Sequence, residues 1–155
     1  MATALGPDRV RRHTGGFTIV ELLAVVTIIG TLAAIALPKS REAIERAKVA
    51  RAIGDLEAMG VDLDAQDTLP DALTFFGPVR EDPWGNPYQY NKFPPGKGAP
   101  PGARKDRFLV PINTYYDIYS LGKDSTSSPP LTSKSSQDDV IRANDGGYIG
   151  LASKY

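Results

Sequence analysis

The chain has no cysteine, which excludes disulfides, thiolate metal ligands and cysteine nucleophiles. Its single histidine, His13, stands near the start, so histidine-based acid–base catalysis and ordinary zinc sites are not expected in a folded body further along. Neither sign of charge predominates. Eighteen basic and 18 acidic side chains give a formal net charge of zero, with no overall basic field to hold a nucleic acid. Gly-x-Ser-x-Gly, a Walker loop and His-Glu zinc motifs are missing, and Gly96-Lys97-Gly98 lacks the earlier glycine and the following Ser or Thr of a phosphate loop. No enzyme is expected. What the chain has in quantity is glycine (15) and proline (13), concentrated after residue 76, which predicts a loop-rich second half with short strands.

At 155 residues the chain suits one domain, or one domain with an appendage. Its apolar residues are spread unevenly. Phe17 to Leu37 is apolar all round, with Glu21 as its one charge. At about 1.5 Å per residue this run spans roughly 31 Å, close to the hydrocarbon thickness of a bilayer. Before it come Arg9, Arg11, Arg12 and His13, then Thr14-Gly15-Gly16. By the positive-inside rule that basic leader stays cytoplasmic and everything after Leu37 crosses to the far side. In a secretory signal the small residues follow the apolar core. Here they precede it, so a cut between Gly16 and Phe17 would leave the hydrophobic helix on the mature chain.

The run Gly16-Phe17-Thr18-Ile19-Val20-Glu21-Leu22-Leu23 resembles the processing site of type IV pilins and of the pseudopilins of type II secretion. The resemblance implies cleavage after Gly16 by a prepilin peptidase, N-methylation of Phe17, and an assembly role for Glu21. Phe17 and Glu21, four residues apart, share one helix face. A carboxylate in hydrocarbon costs a few kcal/mol, so Glu21 calls for a cationic partner, and the α-amino group of a neighbouring subunit's Phe17 would serve. The plainer reading is a membrane anchor with one tolerated acid. Pro38, with Gly30 before it, predicts a break or kink at the end of the apolar run; the resemblance implies unwinding of this stretch in a filament, against a simple kink at the membrane exit.

Residues 39–60 are rich in Ala, Glu, Lys and Arg and predict an amphipathic helix with Arg41–Glu45 and Glu42–Arg46 pairs on its wet face. Ile44, Ala47, Ala50, Ile53 and Leu56 form its expected packing stripe, and Gly60 its stop. Asp82-Pro83-Trp84-Gly85-Asn86-Pro87-Tyr88-Gln89-Tyr90 alternates turn formers with aromatics; it reads as core rather than as a carbohydrate or peptide surface, and it resembles a signature of the major pseudopilin. Residues 93–105 read as loop, Arg107–Ile112 and Tyr115–Leu121 as strands, and Gly147–Leu151 as the closing strand.

The loop 121–147 gathers Asp124, Asp138, Asp139 and Asp145 with several hydroxyls and no nitrogen or sulfur donors, a set that suits a hard cation. Tyr119-Ser120-Leu121-Gly122-Lys123-Asp124 resembles the opening of the major pseudopilin's calcium loop. The resemblance implies a Ca2+ ion held by Leu121, Asp124, Asp138 and Asp139. This loop is longer and richer in Ser and Pro than the family pattern, and Asx turns with a Pro129-Pro130 corner are the metal-free alternative.

The expected fold is α+β and pilin-like. A long N-terminal helix, membrane-spanning in its first half, packs by its second half on a small antiparallel sheet. The expected divisions are a cleaved leader at 1–16, a transmembrane and filament-core helix at 17–38, an amphipathic helix at 39–60 and a periplasmic domain at 61–155. The resemblance implies a major pseudopilin that is single-pass in the inner membrane and polymerises into a periplasmic filament for type II secretion. Its partners would be itself, minor pseudopilins, the prepilin peptidase and an inner-membrane assembly platform with a separate ATPase; no nucleic acid is expected. The alternatives are a type IV pilus subunit for adhesion or motility, whose usual C-terminal disulfide loop is impossible here, and a membrane-anchored periplasmic binding module that does not polymerise.

Overall fold

A computed structural model describes residues 16–155; apart from Gly16, the leader expected at 1–16 lies outside them. Contacts divide the chain into one unit ending at Arg41 and a second over Glu42–Tyr155. One helix, α1 (Ile19–Asp64), supplies the first unit's apolar run and the second unit's packing face. It is followed by four short strands, β1 (Gln89–Lys92), β2 (Tyr116–Ser120), β3 (Val140–Ala143) and β4 (Tyr148–Leu151).

In the first unit the apolar side chains from Phe17 to Leu37 find no cover. Ile19, Val20, Leu22, Ile28, Leu32 and Leu37 are all exposed. Such a surface is stable only in lipid or against other chains. The break expected at Gly30 and Pro38 does not occur in this chain: α1 runs through both residues as a single helix. Proline removes one N–H and crowds one carbonyl, a cost of about 3 kcal/mol confined to one turn.

In the second unit α1 packs through Ala52, Leu56, Met59 and Leu63, with Val49 and Ile53 at the border, against Tyr88, Tyr116, Ile118 and Val140. These positions follow the alternating three-and-four spacing of a buried helix face. The stripe expected at every third residue drifts off it, leaving Ile44 54% exposed. Gly60 is not the stop, since the helix continues to Asp64. It is a packing residue, because a Cβ there would stand 3.1 Å from Arg142 Nε. Of the expected pairs on the wet face, Glu42–Arg46 forms at 4.0 Å, while Glu45 instead accepts the Trp84 indole N–H at 3.1 Å.

The sheet is antiparallel throughout, in the order β1-β2-β3-β4. Strands over 115–121 and 147–151 appear within a residue of their expected places. The strand expected over Arg107–Ile112 does not form; that segment is turns around an isolated Asp106–Leu109 bridge, with Phe108 96% exposed. Pro111 has no N–H to give a ladder, and the N–H groups of Leu109 and Ile112 go instead to the carbonyls of Asp106 and Arg104, both at 3.0 Å. The Asp82 run forms a turn whose buried carboxylate accepts the N–H groups of Trp84 (3.0 Å) and Asn86 (2.8 Å) and the Ser120 hydroxyl (2.6 Å). The turn thereby fastens to the end of β2.

Three tyrosine hydroxyls join the sheet to α1 and the chain that follows it. Tyr88 donates to Asp55 at 2.9 Å, Tyr116 to Asp64 at 2.8 Å and Tyr90 to the Pro70 carbonyl at 2.9 Å. Burial raises the pKa of each, Tyr90 from 10.0 to about 12 and the other two further. The native state therefore keeps protons that the unfolded chain releases. Stability contributed by these groups is complete below the ordinary tyrosine value and is lost as the pH rises through the 10-to-12 window set by Tyr90. In an alkaline titration, tyrosinate absorbance of these residues and loss of circular dichroism should rise together; early ionisation with the fold intact would contradict the packing.

Candidate functional site

Candidate residues lie in two places, the start of α1 and the loop between β2 and β3. At the first, Gly16 and Phe17 precede the helix, and Phe17 is 86% exposed. Thr18 and Glu21 cap the helix reciprocally. The Thr18 N–H and hydroxyl donate to Glu21 Oε2 at 2.8 and 2.7 Å, and the Glu21 N–H donates to Thr18 Oγ1 at 3.2 Å. This is a capping box, legible in Thr18-Ile19-Val20-Glu21 but not among the expectations above. Within one chain, then, Glu21 already has local partners, and any role in assembly adds to that.

At the second place, each of the three expected carboxylates already has partners within the chain. Asp124 Oδ1 accepts the Thr126 N–H at 2.8 Å in an Asx turn. Asp138 Oδ2 accepts the N–H groups of Lys123 and Asp124 at 2.9 and 3.0 Å. Asp139 is fully buried, and its Oδ2 accepts bonds from the Arg104 guanidinium and the Ser127 hydroxyl. Burial raises the Asp139 carboxyl to about 6 against the pull of Ser127 and Arg104, so at neutral pH it faces Arg104 as a charged pair. Leu121 is half-buried at the head of the loop. Among the described residues no group of three or more His, Cys, Asp or Glu side chains could hold a metal ion. Leu121, Asp124, Asp138 and Asp139 therefore do not fit a calcium ion as a set, because a guanidinium stands against the deepest of the carboxylates. Asp145 lies apart from them, holding the Thr114 N–H and hydroxyl at 2.8 and 2.6 Å.

Residues 11–37 match the family described as the prokaryotic N-terminal methylation motif. The type II secretion system core protein G of Pseudomonas aeruginosa is 32% identical over 141 residues, covering 74% of this chain and 87% of that protein. The chain belongs to the type II secretion core protein G family. A second member, from Aeromonas hydrophila, is 29% identical over 105 residues, covering 51% of this chain and 73% of that protein. Fimbrial protein Q of Moraxella bovis is 46% identical, but over 50 residues that make up 32% of each chain. The fimbrial protein thus shares about a third of the chain, whereas the core protein G of Pseudomonas aeruginosa shares most of it. No solved structure gives a significant match.

Two ion pairs of this family member were not expected from the sequence, because their partners lie far apart along the chain. Arg142 Nη2 donates to Asp64 at 2.7 Å and to the Asp145 carbonyl at 2.9 Å, with its guanidinium over Tyr116. Arg104, 2% exposed, lies under the β2–β3 loop with its guanidinium carbon 4.2 Å from the Tyr119 ring centre. Neither arginine sits in a motif, and only the fold brings each to its acid.

Proposed function

We propose that this chain is the major structural subunit of a type II secretion pseudopilus. A prepilin peptidase cleaves between Gly16 and Phe17 and methylates Phe17. The apolar half of α1 then holds the chain in the inner membrane as a single pass, with the second unit in the periplasm. On the assembly platform, driven by a separate ATPase, the subunits leave the bilayer and pack their apolar helices together with minor pseudopilins at the filament's end. The role is mechanical rather than catalytic.

The observation that carries this reading is the run from Phe17 to Leu37: no residue of its most apolar 18-residue window is buried within the chain. A surface of this kind first needs lipid and afterwards needs copies of itself. Similarity over 87% of core protein G, against 32% of a fimbrial protein, supports a secretion filament over a surface pilus. Any extended backbone between Gly30 and Pro38 would arise in the filament, since the free chain is helical there.

Overproduction together with a type II assembly platform should yield sheared or sedimented filaments composed mainly of this chain. Protein that remains wholly in the membrane, with a functional platform and correct processing, would favour an anchored module that does not polymerise.

A further inference from the structure

The Ser- and Pro-rich length that sets loop 121–147 apart from the family pattern is stitched to the segment carrying Arg104. The Lys105 N–H donates to the Pro129 carbonyl at 3.0 Å, and the Leu131 N–H to the Lys105 carbonyl at 2.9 Å. Arg104 Nη1 donates to the Ser127 hydroxyl and, at 2.6 Å, to the Ser128 carbonyl. Its Nη2 pairs with Asp139. The Arg104 backbone is held as well, its N–H donating to the buried Asp117 at 2.6 Å. One guanidinium thus takes a carboxylate, a hydroxyl and a main-chain carbonyl, which are the kinds of oxygen a hard cation would collect from a loop. A divalent ion placed on Asp139 would stand beside a fixed positive charge that cannot be deprotonated.

We propose that Arg104 is a built-in cation that closes the β2–β3 loop in place of calcium, so that this subunit folds and keeps its stability without the metal. Asp124 and Asp138 fit the same scheme, since they cap turns through backbone N–H groups and have no need of an ion. Asp139 Oδ1 and Arg104 Nε have no protein partner. The pair is therefore a single direct contact, and a variant lacking either member leaves the other buried and unpaired.

The test uses the full chain, extracted in detergent after processing, with melting followed by the fluorescence of Trp84, its sole tryptophan. It reads folding rather than filaments, so its outcome is separable from that of the secretion reading. Wild-type protein should melt at the same temperature in millimolar calcium and in chelator, and calorimetric titration with calcium should show no binding. Arg104→Gln should melt several degrees lower in both conditions. The double variant Arg104→Gln/Asp139→Asn should melt above Arg104→Gln, because no unpaired charge remains. If Arg104→Gln does not fold, the wild-type comparison and Arg104→Lys, expected to melt between wild type and the unfolded case, carry the test. A rise in wild-type melting temperature with calcium, or an Arg104→Gln chain as stable as wild type, would overturn the proposal.

Discussion

A chain carrying Glu21→Ala should enter the membrane as readily as the wild type and yet give few filaments or none. Insertion is no harder, since a carboxylate within a membrane-spanning helix costs a few kcal/mol that alanine does not. Assembly is where the acid is needed, because a charge in an apolar filament core persists only beside an opposite one, and the amino group of processed Phe17 is the nearest in sequence. The capping box complicates a simple reading, since alanine also removes the bonds to Thr18. A lost cap costs about 1 kcal/mol, too little to abolish assembly. Glu21→Gln separates the two effects, as glutamine retains the box and loses the charge. Counting filaments by electron microscopy beside a membrane-fraction immunoblot decides it. If Glu21→Gln assembles normally, the charge is irrelevant and capping is the residue's function.

Gly16→Leu should leave the whole leader attached. Gly16 is exposed, and a Cβ built on it meets no atom within 4 Å among the described residues, so leucine there disturbs none of them. A processing defect in this variant would therefore reflect recognition by the peptidase and not misfolding. The consequence reaches further than the missing cut. An unprocessed chain has an amide where the mature chain has an amino group, so Glu21 loses its proposed partner and Gly16→Leu should share the assembly defect of Glu21→Ala. Intact-mass measurement on membrane-extracted protein reads the first effect and sedimentation the second. A Gly16→Leu chain that starts at Phe17 would place the specificity elsewhere in the leader.

Much of this protein could be read locally. An apolar run of membrane length, a small-residue step before it and a single acid four residues on from Phe17 are consecutive in the chain; bilayer thickness gives the run its meaning, and the family resemblance gives the step and the acid theirs. The strands over Tyr116–Ser120 and Tyr148–Leu151 were legible too, as short runs with Tyr and Ile that have glycine close by at Gly122 and Gly147. Weaker local signals failed. Val140–Ala143 is buried at all four residues, so it shows no alternation to distinguish it from a short apolar stretch. Arg107–Ile112 has strand composition, but its Leu109 and Ile112 N–H groups bond to the carbonyls of Asp106 and Arg104 rather than to a strand.

What the sequence determined by itself is the apolar run of membrane length, the methylation motif around its start, the α+β class and the family, because each rests on neighbours along the chain. What only the tertiary structure decided is which charges meet. Arg104 and Asp139 are 35 residues apart, and Asp64 and Arg142 are 78. A carboxylate looks alike in sequence whether its cation is to be a metal or a guanidinium. The choice is made when burial excludes water and the oxygen must take whichever positive group the fold brings within reach. In the β2–β3 loop that group is Arg104, carried there by the pairing of Lys105 with the Pro129-Pro130 corner.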